Sequence, residues 1–367
     1  MTFASPHPLR RPALFALLAA TSTACVPEFD DDAALVSEPR VLAVRSIPAE
    51  AGANETVTLE VLVASPEGQD DGDVAPAWAL CSERKPLTEL GPVAQVCVDE
   101  FGGDSDKLVA LPSGLTSQAT LAEDVCRYFG PLTPPKVQGQ AAGRPVDPDP
   151  TGGYYQPVLV DATTSGSAAS VSLGSVRLTC EPPPLAREEL IQYALRYRPN
   201  ENPSIDELTV GGDASLTLTP DSAASENRVN TGSVLDLAAS FASCPRTAEC
   251  GDGICSSGED VTTCVEDCGS DAPVTGCSGS ESYVWVDPRT NRVEDRHEGI
   301  TVSWYATSGK FENAQTGFTE TDAEGTSVSN RFTAPSTPGT VRMWVVIRDD
   351  RGGVGWRRYA LQVADEG

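Results

Sequence analysis

A mainly β protein of two sandwich domains, with a small disulfide-rich insertion and one short helix, follows from three features of the 367-residue sequence. Short apolar runs alternate with polar residues at period two, 32 Gly and 29 Pro punctuate them, and a single stretch carries helical periodicity. Hydrophobic residues make up 40% of the chain, which is ample for a packed core.

The first strand pattern is Val57, Leu59, Val61 and Val63 alternating with Thr56, Thr58, Glu60 and Leu62, a half-buried strand with one apolar exception. Ala77 to Cys81 reads as a core strand carrying Trp78. Strand, turn, strand, turn and Trp-bearing strand predict an immunoglobulin-like sandwich over residues 39–200. Residues 82–150 lack periodicity and contain Cys97 and Cys126, so a long loop stapled by disulfides is expected there. Strands return at Tyr154 to Asp161 and Val171 to Cys180. Within 185–197, Leu190, Ile191, Ala194 and Leu195 share one helical face; three prolines precede this stretch and Pro199 stops it. A second immunoglobulin-like domain is expected over 201–367. Its strands are marked by Leu208 and Val210, Leu235 and Leu237, Val302 and Trp304, Met343 to Ile347, and Tyr359 to Val363, the last two joined by a turn at Asp349–Gly353. Residues 244–277 form a cysteine-rich insertion within it.

The N-terminus reads as an export signal. Arg10-Arg11 supplies a positive segment, Ala13 to Ala20 an apolar one, and Thr21 to Ala24 small residues before Cys25. At ~1.5 Å per residue the apolar run falls well short of a ~30 Å bilayer core, so cleavage rather than spanning is expected. The pattern resembles the lipobox of bacterial lipoproteins, which implies a signal peptide over 1–24, lipidation at Cys25, and an acidic tether over 25–38. Val26 follows the cysteine, and this resembles an outer-membrane address, with the membrane as partner through the lipid. Ser22 stands where leucine is usual, which keeps a periplasmic or secreted protein as the alternative.

With Cys25 lipidated, ten cysteines remain for a disulfide framework: Cys81, Cys97, Cys126, Cys180, Cys244, Cys250, Cys255, Cys264, Cys268 and Cys277. Cys244 is expected to pair with Cys277, clamping the insertion at its base; pairings among Cys81, Cys97, Cys126 and Cys180 stay open. The stretch from Cys250 to Cys268 is too short to build a core, and it lacks the C-x-x-C pairs of zinc ribbons, so disulfides are expected rather than zinc. It resembles the small CGDGxC…CxxDC modules of extracellular proteins. Asp252, Glu259, Asp260 and Asp267 within it are a candidate calcium site, because calcium takes clustered oxygen donors. No other cofactor is expected.

The net charge of −27 argues against nucleic acid as a partner. Once residues 1–24 leave, His297 is the one histidine available as a catalytic base, and no G-x-S-x-G, HExxH or phosphate-loop motif accompanies it. A non-catalytic protein is therefore expected. The alternatives are a secreted hydrolase working through paired carboxylates and a calcium-stabilised adhesion spacer. Trp344, Arg351 and Trp356 on the last hairpin form a candidate face for an extracellular protein or polysaccharide.

The runs EPRVLAV at 38–44, PDPTGGYYQPV at 148–158 and RYRPNENPSIDEL at 196–208, together with VSWYATSGKF and DDRGGVGW, resemble a family of myxobacterial outer-membrane lipoproteins. The resemblance implies a lipid-anchored envelope protein with a binding or scaffolding role.

Overall fold

A computed structural model describes residues 33–365 apart from 68–74, 87, 135, 137–138, 140–142, 163–170, 212–215, 243, 245–263, 267–276 and 323–324. Cys25, Cys250, Cys255 and Cys268, the acidic group Asp252, Glu259, Asp260 and Asp267, and residues 1–32 lie outside the described residues. The described residues from 33 onward form one compact unit.

The first sandwich holds β1 (Arg40–Ile47), β2 (Glu50–Ala51), β3 (Thr56–Ala64), β4 (Ala77–Cys81), β5 (Leu108–Leu111), β6 (Thr116–Thr120), β7 (Tyr155–Asp161) and β8 (Val171–Leu178). One sheet has the order β1-β3-β6, the other β2-β8-β7-β4-β5. Period-two alternation sends Val57, Leu59, Val61 and Val63 inward against Trp78, Leu80, Val158, Val160 and Val176. Two strands and the short helices α1 (Gln95–Asp99) and α2 (Val125–Tyr128) occupy the stretch expected to be irregular. β6 escapes sequence reading because its inward residues are only Ser117 and Ala119.

The second sandwich holds β9 (Glu207–Gly211), β10 (Leu216–Leu218), β11 (Arg228–Asn230), β12 (Val234–Ser240), the hairpin β13 (Ser282–Asp287) and β14 (Arg292–His297), β15 (Ile300–Ala306), β16 (Lys310–Phe311), β17 (Gln315–Phe318), β18 (Ser327–Thr333), β19 (Gly339–Asp349) and β20 (Val354–Ala364). Sheets of order β10-β9-β12-β18-β16 and β11-β20-β19-β15-β17 enclose its core, with Trp304, Phe332, Met343, Val345 and Leu361 at the centre. The protein is thus mainly β and immunoglobulin-like, as its sequence predicts.

The two sandwiches stack face to face. Trp344, Val346 and Val354 on the outer face of one sheet pack against Leu42, Ala43, Leu62 and Ala64 on the outer face of the other. A bulge between Val41 and Ala43 turns β1 so that both Leu42 and Ala43 reach this layer. Leu62, the apolar exception in β3, belongs here as well. Arg348 donates to the Leu42 carbonyl at 2.8 Å, and the Arg45 guanidinium lies 4.0 Å from the Trp356 ring centre.

This stacking corrects the proposed binding face. Trp344 is 2% exposed and Arg351 1%, and Trp356 is half-buried. Alternation does turn Trp344 away from its own core, but β1 and β3 cover it. The end of the acidic tether is docked too: Leu35 bridges to Ala306, and Val36 is fully buried in the same layer. Helix α3 (Arg187–Arg196) departs from expectation in another way. Its aliphatic stripe of Leu190, Ile191 and Leu195 faces solvent, while Glu189 accepts the Val293 N–H at 2.8 Å and Arg196 pairs with Asp295 on the opposite side.

Candidate functional site

A cleft of about 750 Å³ opens along the first sandwich and ends at the β19–β20 turn. Tyr128, Phe129, Tyr154, Tyr155 and Leu173 give it an aromatic and aliphatic lining, and Arg84, Lys85, Asp147 and Asp350 add charged groups to it. Disulfides set the walls. Cys81–Cys97 holds α1 on the outer face of the five-stranded sheet, and Cys126–Cys180 ties α2 to the end of β8. Gly130 follows α2 because a Cβ there would meet the Cys126 carbonyl and the Cys180 sulfur, both at 2.7 Å. Cys244–Cys277 closes the insertion at its base, the pairing expected from sequence.

The floor is rigid. Asp149 Oδ1 accepts N–H bonds from Thr151 at 2.9 Å and Gly153 at 2.7 Å, and its Oδ2 accepts the Tyr155 hydroxyl at 2.7 Å. Gly152 between them has φ +80°, a left-handed conformation that favours glycine. The same Tyr155 hydroxyl accepts from Arg177 Nη1 at 2.8 Å. Burial pushes the Tyr154 hydroxyl up to about 12 and the Tyr155 hydroxyl higher, so both stay protonated, the Tyr155 hydroxyl being committed to Asp149 and Arg177.

Behind the end wall lies a buried charged junction. Arg351, projecting from the β19–β20 turn, reaches Glu50 of the first sandwich at 3.5 Å, Glu281 at 3.5 Å and Glu298 at 3.3 Å, and donates to the Arg198 carbonyl at 3.0 Å. Glu50 also takes Arg177 at 3.2 Å, the Asn200 N–H at 2.9 Å and the Tyr197 hydroxyl. The Asn200 carboxamide, in the orientation that satisfies both ends, donates to Glu298 at 2.7 Å and accepts from Gly353 N–H at 3.1 Å. Gly353 is required here, because a Cβ would strike the Asp349 carboxylate and the Glu201 carbonyl. Burial pushes the Glu281 carboxyl up to about 7, raises Glu298 well above the ordinary range, and raises Asp349. Asp350, on the cleft side of the turn, is pushed up to about 6 by partial burial, with Asp349 and Glu320 adding repulsion.

Among the described residues, no group of three or more His, Cys, Asp or Glu is arranged to hold a metal ion. His297 lies on β14, not in a loop, with Nε2 3.0 Å from the Ser282 hydroxyl directly across the ladder. Sequence reading singled out Arg351, but for an exposed face, and missed the acids that surround it. Glu50, Arg177 and the Glu281–Glu298 pair lie far apart in the chain and carry no common motif, and the one legible signal was a Gly-Gly turn around Arg351.

No protein-family model matches the chain, and no curated protein matches it. Among solved structures, a red sea bream transglutaminase is 10% identical at a TM-score of 0.24, covering 90% of this chain and 32% of that one. The Yersinia pseudotuberculosis adhesin InvE is 10% identical at 0.19, covering 87% and 58%. Native Escherichia coli alpha-2-macroglobulin is 9% identical at 0.19, covering 89% and 17%. The chain spans less than two thirds of each of these proteins, and likenesses this distant carry nothing about activity. No helix among the described residues is long and apolar enough to cross a membrane.

Proposed function

We propose that the protein is a lipid-anchored cell-envelope binding protein, held at the outer membrane through Cys25, that captures an extracellular protein segment or polysaccharide in the cleft without transforming it. The carrying observation is the cleft itself. Its volume falls in the range of ligand sites, and its lining combines apolar and aromatic side chains with charged groups that can fix a ligand's orientation. Tyrosine rings suit both partner classes, since they stack on sugar faces and on peptide side chains while the hydroxyl offers a hydrogen bond. The export signal and the disulfides support an envelope location.

Titration of the mature chain against panels of surface glycans and of extended peptides tests the reading, with Tyr128→Ala and Leu173→Asp as cleft variants. Both side chains are partly exposed, so the variants should fold. The expected result is a ligand whose affinity drops about tenfold or more in each variant. Binding that neither variant weakens would overturn the assignment of the cleft. Acyl chains on Cys25, read as the intact mass of membrane-extracted protein, test the anchor separately.

A further inference from the structure

The buried junction holds more acid than base. Glu50, Glu281, Glu298 and Asp349 are all buried around the buried guanidinium groups of Arg177 and Arg351. Fully ionised, these six buried side chains would hold four negative charges against two positive, a surplus that water screens poorly at this depth. The elements packed around it bring Tyr193, Tyr197 and the half-buried Arg198 from the α3 side and Tyr283 from β13, beside which Arg296 of β14 pairs with Glu320 at 3.8 Å, while Asp350 faces the cleft. Asn200 supplies a neutral donor. The segment that closes the junction also builds the cleft, since Asp349, Asp350 and Gly352 line the cleft wall while Arg351 between them points inward.

We infer that the junction is a proton-operated latch on the cleft: with the surplus carboxylates protonated, Arg351 is locked and the 349–353 turn forms the end wall; with them ionised, the uncompensated charge loosens the turn and opens that end. The latch itself stands on the geometry of the junction, and its role as a control on ligand capture rests on the cleft reading above. Opening exposes the carboxyl groups to water, where they ionise in the ordinary range, whereas the closed form retains their protons. The closed state is therefore favoured at acid pH and loses stability as pH rises, which for Glu281 means across the window from its ordinary value to about 7. Glu298, raised further, extends the window upward.

Amide hydrogen exchange on the full mature chain, corrected for the intrinsic pH dependence of exchange, reads the latch without any ligand. The reporters are Gly353 N–H, bonded to Asp349 at 2.8 Å, and Val354 N–H, bonded to Asn202 at 2.8 Å. Between pH 5.5 and 7.5 their opening should increase about tenfold or more, while the amides of β12 hold their protection. Glu298→Gln and Glu281→Gln, which fix a neutral side chain, should each flatten that dependence. Equal protection at both pH values in the wild-type chain would overturn the latch, and this result stands even if a variant fails to fold. A pH-dependent turn in a protein whose cleft captures nothing would refute the binding function and leave the latch intact.

Discussion

Replacing Arg351 with Met removes the cation at the centre of the junction while keeping most of its stem volume. The guanidinium has three carboxylate neighbours within 3.5 Å and a carbonyl acceptor at 3.0 Å, all on a side chain 1% exposed. Removing one partner of a buried ionic cluster costs about 3–5 kcal/mol, because the groups left behind are uncompensated. Here the cost depends on pH. At about pH 8 Arg351→Met leaves Glu50, Glu281 and Glu298 with Arg177 as the remaining guanidinium, and the full penalty applies. At about pH 5 protonation of Glu281 and Glu298, both raised in the folded state, relieves part of it, so the loss should shrink toward the lower end of that range. Urea denaturation followed by tryptophan fluorescence measures it, with Trp344 in the layer between the sandwiches as a local reporter. Arg331→Met is the control: its pairs with Asp236 at 3.1 Å and Glu312 at 3.4 Å are solvent-exposed, and losing them should leave the urea midpoint close to that of the parent chain. A loss from Arg351→Met no larger than the control's, at both pH values, would refute the view that Arg351 holds the junction.

Trp344→Ala should cost about 3–5 kcal/mol and loosen one sandwich from the other, seen as two separated calorimetric transitions in place of one; a shift under about 1 kcal/mol would show the stacked layer to be weak. Leu190→Ser and Leu195→Ser on α3 should each change stability by under about 0.5 kcal/mol, because both side chains already face water, and a larger loss in a urea melt would place them against something in solution. Ser282 should resist a fluorophosphonate probe, since its contact with His297 is a cross-strand pair; labelling at Ser282, found by peptide mass mapping, would revive the hydrolase reading.

The sequence by itself determined the strands with strong apolar alternation, but not β5, β6 or the short helices α1 and α2. Alternation in β3, β15 and β20 gave their inward faces, because a strand's side chains must point to opposite sides and one side was the more apolar; β19 is apolar on both sides over 343–347. The turn around Arg351 was legible from its glycines, and the clamp Cys244–Cys277 from the position of the two cysteines at the base of the insertion. Only the tertiary structure decided which outward faces were covered. Leu62 and Ala64 on β3 and Trp344 and Val346 on β19 are apolar residues on the wrong side of their strands for a solitary sandwich. Each such residue taken alone is ordinary on a protein surface, and only their juxtaposition across two sheets makes them a layer. The same reason hid the junction. Glu50 and Arg351 stand 301 residues apart, and charge in a sequence reads as solvated surface until the fold removes the water and leaves the surplus carboxylates holding their protons.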